Sequence, residues 1–176
     1  VAGADAVLAV GGAQAVAALA FGAGEVPACD VVVGPGNRWV TAAKQLVAGR
    51  VGIDMLAGPS ELVVLADDTA DPALVAADLL AQAEHDPDAI AVLVTTSEAL
   101  VHSVEEELGE QLLSLPTAEN ARRALDNGGA VLVASLDEGA RFCDRLAPEH
   151  LELMTAEDGR VRSLLSHYGA LFVGSR

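Results

Sequence analysis

The stretch L-V-V-L-A-D-D-T-A-D-P-A-L-V-A-A-D-L-L-A-Q-A-E, Leu62 to Glu84, decides the fold class. Five apolar residues run together, aspartates follow, and a proline opens an Ala/Leu-rich stretch. A short apolar run without polar alternation, bounded by turn residues, reads as a strand covered on both faces. Proline at the first helical position then starts a helix. Asp67, Asp68 and Asp71 read as a capping cluster that suits the helix dipole.

The same strand–turn–helix unit recurs outward from this stretch. Towards the N-terminus, Val7–Val10 reads as a strand before a helix from G-G-A-Q to about Gly22. Val31–Val33 reads as a buried strand before a helix from G-P-G-N to about Gly49. Towards the C-terminus come a strand at Ile90–Thr95, a helix capped by Ser97 and reaching about Leu113, and a helix over Thr117–Asn127 closed by G-G. Strands at Val131–Ala134, Leu151–Met154 and Leu171–Val173 alternate with helices near Asp137–Arg145 and Asp158–His167. Helices between most strands predict an α/β fold, Rossmann-like, with a largely parallel sheet covered by helices on both faces. The break at R-V-G-I-D-M-L-A-G-P, Arg50–Pro59, predicts two sub-domains.

Composition narrows the function. Apolar residues make up 52% of 176 residues but aromatics only 3%, so Ala, Val and Leu must build the core. A net charge of −16 argues against nucleic acid and against anionic membrane surfaces, both of which select clustered Lys and Arg. The uncharged stretch Ala6–Gly24 holds Gln14 and four glycines, too weakly apolar for a membrane span and without the basic flank of a signal peptide. Cys29 and Cys143 stand far apart outside any C-x-x-C pattern, so two inert thiols in a reducing, cytoplasmic setting are expected.

Several motifs carry possible chemistry, each with a plain structural alternative. V-G-G-A-Q, Val10–Gln14, brings backbone amides to a helix start where an anion is favoured, yet glycine turns after strands are common. V-G-P-G-N, Val33–Asn37, repeats the arrangement, and Asn37 is equally suited to cap the helix. Two such turns at the ends of parallel neighbouring strands face one crevice, which makes a nucleotide site the better reading of the pair. In A-G-P-S-E, Ala57–Glu61, Ser60 and Glu61 suit either a ligand or a turn. Gln82 and His85, three apart near a helix end, share a face and suit a metal, while a histidine there also suits the helix dipole. In P-E-H, Pro148–His150, a carboxylate adjoins an imidazole, a pairing that favours a general base. Successive strand residues point to opposite faces, so both reach one site only if the segment is still a loop. His102 and His167 read as surface residues.

Taken in order, G-G-A-Q-A-V-A-A-L-A-F-G, V-G-P-G-N, I-D-M-L-A-G-P-S-E, L-L-A-Q-A-E-H-D-P and A-P-E-H-L resemble histidinol dehydrogenase, co-linearly from Val1 to Arg176. The resemblance implies oxidation of L-histidinol through L-histidinal to L-histidine, the last two steps of histidine biosynthesis, with NAD and zinc. It implies that Gln14 and Asn37 contact NAD, that Ser60, Gln82 and His85 contact substrate, and that Gln82 and His85 are zinc ligands. Glu149 and His150 would be the acid/base pair, His150 taking the hydroxyl proton and Glu149 activating water. Residues 1–56 would belong to an NAD-binding Rossmann-like domain and 57–176 to a second one carrying zinc and catalytic residues. The family's members are homodimers.

Leu56 stands where the family usually has proline, a small change in a turn. Relative to the family pattern, the G-D-Y segment and a later histidine, which supply two further zinc ligands, do not occur in these residues, nor do the long N-terminal part and the C-terminal tail. The chain is therefore expected to be a central portion, with a non-catalytic α/β module derived from the enzyme as the alternative reading. A cysteine-dependent dehydrogenase is a weaker match, because neither cysteine has a fitting context. By itself the 176-residue chain is expected to bind zinc weakly, since two ligands order the site with little return. It is also expected to form no NADH from histidinol. Histidinol-dependent NADH formation by this chain, abolished by His150→Gln, would overturn that expectation.

Overall fold

Burial on both faces is what an apolar strand without alternation requires, and β3 (Glu61–Ala66) meets it: Leu62 through Ala66 are all buried. The computed structural model describes residues 3–56 and 60–174. The chain divides into two compact units, Val1–Gly58 and Pro59–Arg176.

In the second unit, β3, β4 (Ile90–Thr95), β5 (Gly129–Leu132), β6 (His150–Met154) and β7 (Ala170–Val173) form a parallel sheet in the order β5-β4-β3-β6-β7. The chain builds outward from β3 through β4 to β5, then returns to pair β6 on the other edge of β3. Alternation along β3 splits the core in two. Leu62, Val64 and Ala66 pack with Val75, Ala76 and Leu79 of α3 (Pro72–Ala83) and Leu100 and Val104 of α4 (Glu98–Leu112). Val63 and Leu65 pack with Ala140 and Cys143 of α6 (Leu136–Leu146) and Val161 of α7 (Asp158–Arg162). Helix α5 (Ala118–Leu125) contributes Ala121 and Ala124 to a smaller cluster with Leu80 and Ala83. This is the expected parallel sheet with helices on both faces.

Helix starts follow local chemistry. The Asp71 side chain accepts the Ala73 amide with Pro72 at the first turn, and Ser97 accepts the Leu100 amide. Asp67 does more than cap. It accepts the Thr69 amide and hydroxyl and, across the sheet, the Ala156 amide at 2.9 Å, tying the ends of β3 and β6 together. Burial acts to raise its pKa, but these hydrogen bonds outweigh that and hold it below the ordinary carboxylate value.

The first unit contains α1 (Gly12–Phe21), β1 (Val31–Val32), α2 (Arg38–Val47) and β2 (Gly52–Ile53), with β1 and β2 parallel. Val16, Ala20, Val32, Ala43, Val47 and Val51 form its core. Two expectations change here. Val7–Val10 is not a strand, and the strand expected to be buried at Val31–Val33 keeps only Val32 inside, Val31 and Val33 being exposed. An apolar run becomes a strand only where a partner accepts its hydrogen bonds, and among the described residues only β2 does so. A short strand also lies within the expected break.

The C-terminal elements shift slightly. β5 begins at Gly129 rather than Val131, because the glycine pair is part of the approach to β4: a Cβ on Gly128 would lie 1.9 Å from the Ala91 carbonyl oxygen. α7 ends at Arg162, and the amides of Ser166 and His167 turn to the Asp144 carboxylate instead.

Candidate active site

Residues Asp78, Ala81, Gln82 and His85 fall at the spacing of one helical face, running off the C-terminal end of α3. Opposite them stand His150 and Glu152, which share a face of β6 because strand side chains alternate. The register pairs His150 with Leu62 and Ala170, and Glu152 with Val64 and Phe172, so this is the sheet face that α3 covers. Together with Leu62 and Phe172 these residues line a groove of about 290 Å³. The His150 and Phe172 rings lie 6.0 Å apart.

Two groove atoms stand out. Gln82 is 8% exposed, yet its Nε2 has no hydrogen-bond partner, and neither has the buried Nδ1 of His150. Unpaired buried polar atoms are costly and uncommon, so they mark positions where ligand atoms fit. Gln82 and His85 also offer two donors from one helix end, a partial set for a metal. Among the described residues no group of three or more His, Cys, Asp or Glu is arranged to hold one.

Glu152 and Asp78 belong to no motif, yet their spacing signals them: Asp78 precedes Gln82 by four positions and Glu152 follows His150 by two. Burial, and then the charge of Asp78, push Glu152 up to about 7. Burial also raises Asp78.

The P-E-H segment is fixed mainly by its backbone. Ala147 ends α6 in the left-handed conformation, φ 49°, and Pro148 is buried. The Pro148 and Glu149 carbonyls accept the amides of Gly169 and Ala170 at 3.0 and 2.7 Å. Gly169 permits this approach, since a Cβ there would lie 2.6 Å from the Glu149 carbonyl oxygen. His150 enters the strand while Glu149 remains exposed at the bend, so the groove collects His150 and not Glu149.

The other expected residues lie elsewhere. Ser60, half-buried, precedes β3, and its carbonyl accepts the Ile90 amide; Ala57–Pro59 of the same motif are outside the described residues. Gln14 is exposed in the first turn of α1, whose N-cap Gly11 makes no side-chain cap. Asn37 caps α2, accepting the Trp39 and Val40 amides at 3.1 and 3.3 Å. Both belong to the first unit. Cys143 is buried, its thiol pushed up to about 12, chiefly by burial, which leaves it unreactive. His102 and His167 are exposed.

A second crevice lies at the carboxyl ends of the strands, where open α/β sheets commonly bind ligands, lined by Thr69, Thr155 and Asp158 among others. Its polar groups satisfy one another, the Thr155 amide and hydroxyl both bonding Asp158 at 2.8 Å. Among the described residues, the buried side-chain atoms without a partner lie in the groove at the amino ends.

The second unit is thus a parallel α/β sheet whose groove gathers glutamine, histidine and carboxylate side chains. The family model for histidinol dehydrogenase matches residues 1–176. The chain is 52% identical over 174 residues to histidinol dehydrogenase of Thermus thermophilus, covering 99% of this chain and 42% of that protein. It is 51% identical over 165 residues to that of Caulobacter vibrioides, covering 94% and 39%. The crystal structure of histidinol dehydrogenase from Elizabethkingia anophelis superposes with a TM-score of 0.87 at 40% identity, over 93% of this chain and 38% of that one. A gamma-glutamyl phosphate reductase from Thermotoga maritima, TM-score 0.50 at 15% identity over 84% of this chain and 42% of that one, shares the fold alone. The chain belongs to the histidinol dehydrogenase family and spans about 40% of the length of the curated relatives it matches.

The half-buried Glu152 carboxyl yields a stability prediction. Because Glu152 is raised from its ordinary 4.5 to about 7, ionising it costs the folded state more than the unfolded one. That cost is absent below the unfolded value, grows between the two and is complete above the folded one. Glu152→Gln is therefore expected to raise the melting temperature at pH 8 and leave it nearly unchanged at pH 4. An equal change at both pH values in thermal melts would contradict the assignment.

Proposed function

We propose that this chain is the core of an enzyme that oxidises L-histidinol through L-histidinal to L-histidine with NAD, the last two steps of histidine biosynthesis. The observation that carries the reading is the convergence of Gln82, His85 and His150 on one groove in a chain of this family. The donor set fits zinc in part: Gln82, buried, and His85 line the same face of the groove, where the Gln82 side-chain oxygen and the His85 imidazole could serve as ligands, while the unpaired Gln82 Nε2 suits a ligand acceptor instead. When bound, zinc would hold the nitrogen atoms of the substrate and NAD would accept hydride.

The chain's own residues supply the proton chemistry. His150, at the head of β6 with one ring nitrogen buried and unpaired, takes the proton of the substrate hydroxyl. Glu149, exposed at the bend just before His150, serves as the base that activates water for attack on the aldehyde carbon. Gln82 and His85 would hold the metal, and Ser60 would contact substrate.

For the dinucleotide, Gln14 and the Asn37 amide nitrogen are the proposed contacts. The α1 amides, without a side-chain cap, suit an anionic phosphate. The oxygen of Asn37 is already committed to capping α2. A homodimer in the cytoplasm completes the proposal. Among the described residues no helix is long and apolar enough to cross a membrane.

The second reading, a non-catalytic α/β module, draws on the partial metal set and on the capping role of Asn37. Steady-state assays of the full-length protein separate the two. The proposal expects zinc-dependent NADH formation from L-histidinol. It also expects His150→Gln to lower kcat by about 10²- to 10⁴-fold, the usual contribution of a general base. A folded, zinc-loaded protein that forms no NADH would leave the module reading in place.

A further inference from the structure

Lysine is among the residues least often fully buried, yet Lys44 on α2 is 3% exposed. Its ammonium donates to the Gly34 carbonyl and, at 2.6 Å, to Oδ1 of Asp54. The other oxygen of Asp54 accepts the Gly34 amide at 2.8 Å. One ion pair thus satisfies both backbone polar groups of Gly34. These hydrogen bonds, from Lys44 first and Gly34 next, hold the Asp54 carboxyl well below the usual carboxylate range.

Three segments meet at this clamp: the turn after β1, the last turn of α2 and the residue that follows β2. Strands β1 and β2 are parallel, so Gly34 and Asp54 leave the sheet at its carboxyl end, where open α/β sheets receive ligands. Gly34 has φ +126°, a conformation that side chains disfavour, and space for a Cβ is open around it. Its conformation rather than its packing is therefore what glycine supplies. Three residues on, Asn37 starts α2. Buried and committed to these acceptors, Lys44 is poorly placed to meet a phosphate itself. Its charge is spent on shaping the turn.

We propose that Lys44 and Asp54 are positioning residues that hold the Gly34–Asn37 turn in the conformation that accepts the dinucleotide. The inference rests on the reading of Asn37 as an NAD contact. A turn held at both its amide and its carbonyl loses less freedom on binding, so the clamp acts through preorganisation.

Calorimetric titration of the full-length protein with NAD, together with hydrogen exchange at the Gly34 amide, tests this. Lys44→Met and Asp54→Asn are each expected to weaken NAD binding at least about tenfold, a loss of roughly 1.4 kcal/mol. KM for histidinol should stay unchanged, and the double variant should bind NAD no worse than the weaker single one. Gly34 exchange should quicken in Asp54→Asn, whose partly exposed side chain makes it the variant better suited to fold. Unchanged NAD affinity in a folded variant would overturn the proposal. So would loss of folded protein in both variants, which would make the clamp scaffold. Wild-type protein that binds no NAD would remove the cofactor assignment, and the inference with it, a result distinct from failure in the variants alone.

Discussion

The arrangement of the second unit depends on how β6 adds to β3. Pairing is parallel and sets His150 beside Leu62 and Glu152 beside Val64. Because strand side chains alternate, a slip of one residue would turn His150 and Glu152 towards α6 and bring Leu151 and Leu153 under α3. The register is fixed by burial, since Leu151 and Leu153 are both 0% exposed in the core that α6 and α7 close. It is fixed again by Asp67, which accepts a backbone amide from beyond the end of β6. Apolar packing on one face therefore decides what the other face presents.

That other face is not sealed by apolar residues. Beyond the core that α3 and α4 make with β3 and β4, the helix wall turns polar at Asp78 and Gln82, and the strand wall turns polar at His150 and Glu152. Holding two carboxylates and two unpaired nitrogen atoms in a half-buried groove is unfavourable for stability. A protein that packed only for stability would carry leucine or valine there. The same low-dielectric setting strengthens every interaction a ligand makes, which is the use that such an arrangement has in an enzyme.

Much of this was legible in the sequence, and the exceptions share a cause. β3, α3, β4 and α4 were readable because local signals agree: apolar runs, Asp71–Pro72 and Ser97 all point to the same elements. Val7–Val10 has the right composition but no partner strand among the described residues, and strand formation is a tertiary fact. The glycine pair before β5 read as a helix stop, whereas Gly128 also allows a close backbone approach to Ala91. In the groove, Gln82 and His85 were found by spacing, while His150 was found as part of P-E-H. Glu149 and His150 adjoin in sequence yet diverge in space because the strand begins between them. Asp78 and Glu152 lie at the helical and strand periods of those same residues but match no motif. The Lys44–Asp54 pair had no sequence signal. Burial of a lysine depends on which backbone atoms the fold brings to it.

Our proposal is that one groove keeps metal binding on its helix wall, at Gln82 and His85, and the proton transfer of His150 on its strand wall. Anomalous diffraction at the zinc edge, from crystals of the full-length protein with histidinol, tests it most directly. The account predicts a peak bound by Gln82 and His85, with His150 free of the metal and facing the substrate hydroxyl. A peak on His150, or one touching neither Gln82 nor His85, would contradict it.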